Sequence, residues 1–502
     1  MDMTTAGTGS RAGRAVSATR GRLVRLLGVA FGAQFLWMAG FSAVEFHSGA
    51  LTLDFSIFYQ AAWQIAHGHL DPVSTSQGFA FWRDHGEVLM WPLAPLSLLP
   101  PHGLWLLFAQ DGATAAAGWV AVTLVADLTR QPAWPPRLPP GLAIGTAALL
   151  LLANPWVYDA AGFDFHMQAF AVLASLLAAR NLMGGRPVRT AVYVAVALAA
   201  GDVAGTYVVG VGLTGVLTAR SAGRPVRPAM AVAGAGLAWT VLLSLLHANL
   251  GSGLASAYGY LAGAAHPGTV AIAAGAVAHP GRVLDQLRLT GGEMYDTVLP
   301  VGLIGLASPW SPVAWITLLA DGLHSGTQFA RPIIHQPMPV WPFTAVGTVW
   351  GLAWMARRSR YGLLGVPIVV VTSLVSAATW LPRYPGNWLQ VPAGASAVIR
   401  HWSGAIPSPD EVVVSNGVAG RFADRRYVYV LLNADHPTPL YGRPVYFVLA
   451  RSVGIEPPQT LTAATAAAAR VHPGARVLDD RDGIEVIYWD PPPGQRWLHA
   501  LP

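Results

Sequence analysis

The sequence predicts a polytopic α-helical membrane protein with about eleven spans, followed by a small α/β domain at the C-terminus. Of the 502 residues, 53% are hydrophobic and only 11% are charged, whereas soluble domains carry about 25% charged residues. Apolar stretches of roughly 20 residues, the length that crosses a hydrocarbon core, recur through the first three quarters of the chain. From Leu381 onward, short β-rich segments separated by turn residues replace them.

The arginine residues divide the chain and orient it. They gather in short clusters between the apolar stretches, as the positive-inside rule expects of cytoplasmic loops. We therefore predict a multi-pass protein of the cell membrane with its N-terminus in the cytoplasm. The predicted regions are a cytoplasmic basic N-terminus at 1–25, a multi-span domain at 26–380 with an outer loop at 47–102, and an extracytoplasmic α/β domain at 381–502.

Most predicted spans are uninterrupted, but two segments are not. Segment 87–101 contains four prolines and is expected to be broken or to lie at the membrane interface. Residues 190–219 are interrupted by Gly201-Asp202 and flanked by arginines, which predicts a hairpin of two short helices with Asp202 at its outer turn. A second short hairpin is expected at 300–322. The other predicted spans are 26–46, 103–128, 139–158, 167–183, 228–248, 337–356 and 361–380, with a second outer loop at 249–297.

Charge and cysteine content exclude several classes of function. The net charge is +6, but every basic residue is arginine and the clusters lie between spans, so they do not indicate nucleic-acid binding. The chain has no cysteine. Disulfides, thiolate metal sites and cysteine nucleophiles are therefore excluded.

The ionisable side chains are distributed unevenly across the predicted membrane. Asp127 is the clearest carboxylate on the inner side, whereas acids and histidines from several separate loops fall on the outer side. Ionisable groups at membrane depth often mark functional sites, so we predict a cavity that opens outward. The outer-side groups are Asp54, Asp84, His85, Glu87, Asp159, Asp164, His166, Asp202, Asp321, His324, Arg331 and His335.

Several of these residues also have a purely structural interpretation. Asp54 precedes an apolar run and fits a helix N-cap. The acid and imidazole of FDFH at 163–166 suit a metal or an acid/base pair, or a hydrogen bond that anchors the loop. Arg331 suits a phosphate or an interfacial anchor. The aromatic residues Phe55, Phe58, Tyr59 and Trp63, which follow Asp54, suit an interfacial belt or stacking on a sugar.

Four stretches resemble the domain of unknown function 2079 family of predicted membrane proteins. They are LDFSIFYQAAWQIAHGH at 53–69, DHGEV with PLAPLSLLP after it, FDFH at 163–166, and IPSPDEVVVSNGVAGRFADRRYVYVL with the later VYFVLA. The resemblance covers roughly 45–450. Where the family commonly shows Lys-Glu-Asp at the short hairpin, this chain has Ala200, Gly201 and Asp202, so a charge-paired role for that site is in doubt here.

The family is similar in layout to the GT-C glycosyltransferases, in which the first outer loop carries an essential acid. The resemblance implies a GT-C-like fold and a sugar transfer from a polyprenyl-phosphate donor to an extracytoplasmic glycan or protein acceptor. Asp54 is the counterpart of the essential acid and would be the general base. Substrate-binding roles are expected for His85, Glu87, Asp164, His166, Asp202, Arg331 and His335, some of which would also suit a divalent metal.

Two other classes of function also fit the sequence. A transporter or flippase gathers ionisable groups at membrane depth, but usually shows internal repeats, and no convincing repeat is present. A non-catalytic membrane scaffold could present the C-terminal domain, and it would tolerate the loss of Asp54.

Overall fold

A computed structural model describes the protein over residues 10–75, 79–83, 85–246, 252–263, 268–430, 438–451, 453–454, 466, 469–470 and 472–498. It consists of a large helical bundle and a small mixed sheet near the C-terminus. The sequence TLTAATAAAARVH at 460–472 predicts a helix, and most of it lies outside the described residues, as does Asp84.

The helical part contains eighteen α-helices within the described residues. They are α1 Ser10–Ser48, α2 Leu53–Ala66, α3 Met90–Leu93, α4 Leu104–Leu128, α5 Pro140–Leu152, α6 Pro155–Gly162, α7 Gln168–Met183, α8 Pro187–Ala199, α9 Ala204–Ser221, α10 Arg227–Leu246, α11 Ser252–Ala262, α12 Thr269–Ala278, α13 Pro280–Val298, α14 Pro312–Gly322, α15 Val340–Arg358, α16 Gly365–Trp380, α17 Tyr384–Trp388 and α18 Ala393–Ala405.

Some of these helices are long and apolar enough to cross a membrane. By length and composition there are three in the described part of the chain, within 20–48, 227–246 and 360–388. The pair α5 and α6, bent by 41° at a short break, would make a fourth. The protein is therefore a multi-pass membrane protein, and the count of about eleven spans stays a prediction.

The two interrupted segments have the predicted form. Segment 87–101 folds as the single turn of α3 and a 3₁₀ turn at Ala94–Leu98, as its prolines require. Residues 190–219 fall in α8 and α9, which form a hairpin with Asp202 in the connection between them.

The prediction of an outer loop at 249–297 is wrong, because the segment is mostly helical. Most of it folds as α11, α12 and α13. Alanine is the strongest helix former, and α12, TVAIAAGAVA, is half alanine.

The C-terminal region forms a five-stranded mixed sheet. Its strand order is β4-β3-β6-β8-β7, in which β3 runs parallel to β4 and β6 and the two pairings of β8 are antiparallel. Asp482 and Gly483 have positive φ and make the two-residue turn between β7 and β8, as an Asp-Gly pair favours. The strands are β1 Val73–Ser74, β2 Phe79–Ala80, β3 Glu411–Val414, β4 Val428–Val430, β5 Thr438–Pro439, β6 Val445–Ala450, β7 Arg476–Arg481, β8 Ile484–Trp489 and β9 Trp497–Leu498.

The C-terminal domain rests on the loop that carries Asp54. The backbone N–H of Gly420, in a 3₁₀ segment at Asn416–Phe422, donates to the carbonyl of Leu51 at 2.9 Å. The side-chain amide of Gln60, on α2, donates to the carbonyl of Arg426 at 2.8 Å. Helix α2 is thus held between the bundle and the sheet domain, on one face of the bundle.

Candidate functional site

Two residues outside α2 accept hydrogen bonds from the backbone N–H groups at its start. Asp164 accepts hydrogen bonds from the backbone N–H groups of Thr52 at 2.9 Å and Phe55 at 3.3 Å, and from the Thr52 hydroxyl. Asn416 accepts from the N–H of Leu53 at 2.9 Å. A carboxylate at this position satisfies free helix donors and complements the positive end of the helix dipole.

This arrangement corrects the N-cap interpretation of Asp54. Thr52 occupies the N-cap position and Asp54 lies inside the first turn. Asp164 and Asn416 accept from the backbone N–H groups at the start of α2. The side chain of Asp54 is therefore not needed as a cap and makes a different contact. Its Oδ2 lies 3.3 Å from Nε2 of His166.

Both ring nitrogens of His166 face oxygen atoms. Nδ1 lies 3.0 Å from the carbonyl oxygen of Phe163, and Nε2 faces the carboxylate of Asp54. The backbone N–H of His166 donates to Gln110, whose amide nitrogen donates to the carbonyl of Asp164 at 2.8 Å.

His335 completes what we call the Asp54 cluster: Asp54, His166 and His335. The His166 and His335 rings stack with centroids 3.3 Å apart, and Phe163 stacks on both. One ligand atom from each cluster residue lies within 4.8 Å of the others. Two imidazoles and a carboxylate are a donor set that suits Zn²⁺ or a similar divalent ion.

Exposure separates the two carboxylates beside His166. The side chain of Asp54 is 37% exposed, whereas that of His166 is 5% exposed and Asp164 is buried. Asp54 can therefore be reached by a substrate, and Asp164 acts on the backbone of α2. A positive φ at Asp164 is a conformation that Asp tolerates better than most residues.

The two acids also differ in pKa. Burial would raise the pKa of the Asp54 carboxyl, but the hydrogen bond and charge of His166 hold it below its ordinary value. Burial, with the negative charge of Asp54, raises the pKa of Asp164 to about 6. Burial and the charge of His166 hold the pKa of His335 well below its ordinary value. At neutral pH the cluster thus contains an ionised Asp54 and a neutral His335.

A second group, the hairpin cluster, comprises His85, Glu87 and Asp202. Nδ1 of His85 lies 3.6 Å from Oε2 of Glu87, and Asp202 accepts from the backbone N–H of Gly86 at 2.9 Å. Phe58 of α2 links the two clusters, because its ring centroid lies 5.2 Å from that of His85 and 6.0 Å from that of His166.

The hairpin cluster explains why position 201 is a glycine. This residue has φ +136°, a conformation that favours glycine. A Cβ built there would lie 2.9 Å from Oε1 of Glu87. The Glu87 carboxylate thus occupies the space that a side chain at position 201 would need.

The remaining predicted residues lie outside these clusters. Arg331 is exposed, four residues before His335 on the same segment, and has no ion-pair partner among the residues that the structure describes. Asp159 accepts from the side chains of Asn387 and Trp388. His324 packs beside Tyr258 of α11.

The aromatic residues behind Asp54 do not form an interfacial belt or a sugar platform. Phe55, Phe58 and Tyr59 are at most 5% exposed, because the 3₁₀ segment of the C-terminal domain and the chain around α3 cover α2. Trp63 remains half-buried. The three buried rings form the core under the site.

Sequence reasoning missed Gln110, which fixes the loop of Asp164 and His166. Its neighbour Asp111 is also buried and accepts from Ser42 at 2.9 Å. The adjacent polar pair near the start of an otherwise apolar span was the signal, since such groups in spans tend to be functional.

Comparisons with known proteins place the chain in a family. No curated protein sequence matches it. Among solved structures, the apo form of ArnT from Cupriavidus metallidurans is similar with 11% identity and a TM-score of 0.44, covering 90% of this chain and 97% of that one. ArnT from the same organism bound to undecaprenyl phosphate gives 11% identity and a TM-score of 0.47, covering 92% and 97%. The family model described as predicted membrane protein (DUF2079) matches residues 46–447, and the chain belongs to that family.

Proposed function

We propose that the protein is a membrane glycosyltransferase of the GT-C type. It would transfer a sugar from a polyprenyl-phosphate donor to a glycan or protein acceptor, on the membrane face that carries the C-terminal domain. The observation that carries the proposal is the Asp54–His166 pair, in which an accessible carboxylate whose pKa lies below its ordinary value contacts a buried imidazole.

The position of Asp54 suits a substrate that is part lipid and part sugar. It lies six residues after the end of α1, a helix long and apolar enough to span a membrane. A polyprenyl chain stays in the bilayer, whereas an acceptor glycan or protein arrives from water. The two can meet only at the boundary between membrane and water, where α2 begins.

Transfer requires one proton to move and one bond to be exchanged. Asp54 would take the proton of the acceptor hydroxyl while the hydroxyl oxygen forms a bond to the anomeric carbon of the sugar. The bond from that carbon to the phosphate oxygen breaks, and polyprenyl phosphate leaves with the electron pair. The leaving phosphate gains negative charge, which cations stabilise.

We give supporting roles to the other predicted residues on the basis of their contacts. His166 and the exposed Arg331, which has no ion-pair partner among the described residues, would contact the phosphate, and His335 would orient His166 through their stacked rings. Asp164 would fix the first turn of α2. The hairpin cluster, in contact through Phe58, would line the sugar or acceptor side of the cavity.

The test is turnover by the purified protein in nanodiscs, with a panel of radiolabelled polyprenyl-phosphate sugars and cell-envelope acceptors. Loss of a general base typically costs a factor of about 10² to 10⁴, so Asp54→Asn should lose transfer to that extent. Asp71→Asn is the matched control, because Asp71 is an exposed acid on the same loop. Transfer by Asp54→Asn within tenfold of the wild-type rate would remove Asp54 from this role.

A transporter or flippase is the second candidate, and buried acids in the bundle favour it. Both carboxylate oxygens of Glu45 are buried without a hydrogen-bond partner among the described residues, and so is Oδ1 of Asp111. Movement of a labelled lipid-linked sugar across the membrane, without transfer to any acceptor and unaffected by Asp54→Asn, would favour this function.

A further inference from the structure

A cavity lies far from Asp54, at the other ends of the helices that position it. Gln110, which holds the His166 loop, and Asp127 are seventeen residues apart on α4, about 26 Å along the helix axis. A hydrocarbon core is roughly 30 Å thick. On the topology that the sequence predicts, in which α4 crosses the membrane, the region around Asp127 lies at the opposite boundary from the candidate active site.

Four arginines converge on this region from separate elements. Arg130 follows α4, Arg180 lies near the end of α7, Arg186 precedes α8 and Arg224 follows α9. They line a cavity of about 280 Å³, which we call the arginine cavity. Asp127 is the one carboxylate in its lining, so the lining carries a net charge of +3.

These four arginines differ in whether their side chains have a partner within the protein. Asp127 accepts from Arg130 at 2.6 Å and from Arg180 at 2.8 Å, so its charge is already shared. Arg224 donates to the carbonyl of Met183 at the end of α7, at 3.1 Å. Arg186 is exposed, and its side chain has no partner among the described residues.

Apart from Gln131 and Gly184, the remaining lining is apolar. Leu124, Leu128 and Met183 share the wall with the arginines. A cavity that is apolar on one side and cationic on the other matches the boundary between an acyl chain and a phosphate headgroup. Basic pockets between membrane helices are known to recognise such headgroups, and the guanidinium plane matches phosphate geometry.

We propose that the arginine cavity binds the phosphodiester headgroup of an anionic membrane lipid. The lipid would lie in the leaflet opposite the candidate active site, with its headgroup between Arg186 and Arg224 and its first methylene groups against Leu128. It would tie together the ends of α4, α7 and α9 on that side. The proposal does not depend on the reaction at Asp54.

Binding can be measured with delipidated protein in detergent, by native mass spectrometry and by the shift in Tm. The probes are phosphatidylglycerol, phosphatidylcholine and inorganic phosphate. We expect phosphatidylglycerol to bind and raise the Tm, and the other two to do so at least tenfold more weakly. The protein is expected to bind about one tightly held phosphatidylglycerol in this way.

Arg186→Gln is the decisive variant, because its side chain holds no structural contact among the described residues. Loss of a charged hydrogen bond should weaken phosphatidylglycerol binding about tenfold, and the Tm without lipid should not change. Arg224→Gln should weaken binding similarly. Arg189→Gln is the control, since Arg189 is exposed three residues further on and does not line the cavity.

Three results would overturn the proposal. Equal binding of phosphatidylcholine would show that the site does not recognise anionic charge. Equal binding of inorganic phosphate would assign the cavity to a soluble anion. Undiminished phosphatidylglycerol binding by Arg186→Gln and Arg224→Gln together would place the lipid elsewhere.

Discussion

The imidazole rings of His166 and His335 stack with their centroids 3.3 Å apart and their planes within 15° of parallel. Two charged rings at that distance would repel each other strongly. Burial and the charge of His166 hold the pKa of His335 well below its ordinary value, so the buried His335 stays neutral. The stack thus places a neutral imidazole against the histidine that contacts Asp54.

We expect Zn²⁺ to bind at the Asp54 cluster and raise the Tm of the wild-type protein. A carboxylate and two imidazoles within 4.8 Å of one another can ligate it, because both groups are common zinc ligands. The measurement is a thermal melt with added Zn²⁺. The shift should be lost in His335→Gln but kept in His324→Gln, and equal shifts in both variants would show that zinc binds elsewhere.

The stability of the wild type should fall relative to Asp164→Asn as pH rises from 4 to 6. The folded pKa of Asp164, about 6, lies above its unfolded value, so over this range the folded state holds a proton that the unfolded state has released. The change amounts to roughly 3 kcal/mol at full ionisation. Melts of both proteins at pH 4.5, 5.5 and 7 would measure it, and a constant Tm difference would contradict the raised pKa.

Gln110→Leu should destabilise the protein by about 1–3 kcal/mol, since it leaves the buried N–H of His166 and the carbonyl of Asp164 without their partner. It should also abolish turnover, because the loop carrying both residues loses its support. The control is Gln390→Leu, at an exposed position. Normal turnover by Gln110→Leu would show that Gln110 does not position the site.

Gly420→Ala tests the contact between the C-terminal domain and α2. The added Cβ would lie 2.5 Å from Cβ of Leu51 and 2.7 Å from Cδ1 of Phe55, so the two segments must separate. We expect a loss of about 1–3 kcal/mol in stability and a lower kcat. Gly404→Ala is the matched control, because nothing lies within 4 Å of a Cβ there; a similar loss in both variants would argue against a specific contact.

Much of the helical layout could be predicted from apolar length and proline position. The hairpin turn at Asp202 and the broken segment at 87–101 followed from charge and proline alone. The second outer loop could not be predicted, because small residues at 249–297 are compatible with either a loop or an alanine-rich helix. Tertiary packing decides between the two.

The candidate site was predictable in its membership but not in its division of roles. Asp54, Asp164 and His166 were expected near one another, and hydropathy could indicate no more than that. Which acid caps α2 depends on a contact between residues more than a hundred positions apart. Local sequence was compatible with Asp54 in that role, and the fold shows Asp164 in it.

The contact between the sheet domain and the start of α2 would affect how an acceptor reaches Asp54 in the proposed reaction. Asn416 and Gly420 hold the segment from Leu51 to Leu53, directly before Asp54. If the sheet domain tilted to admit a bulky acceptor, it would pull on the same few residues that aim the carboxylate. In the proposed transfer, one motion would then both open the entrance and displace the Asp54 carboxylate, so transfer would require an acceptor that lets the domain return to its position.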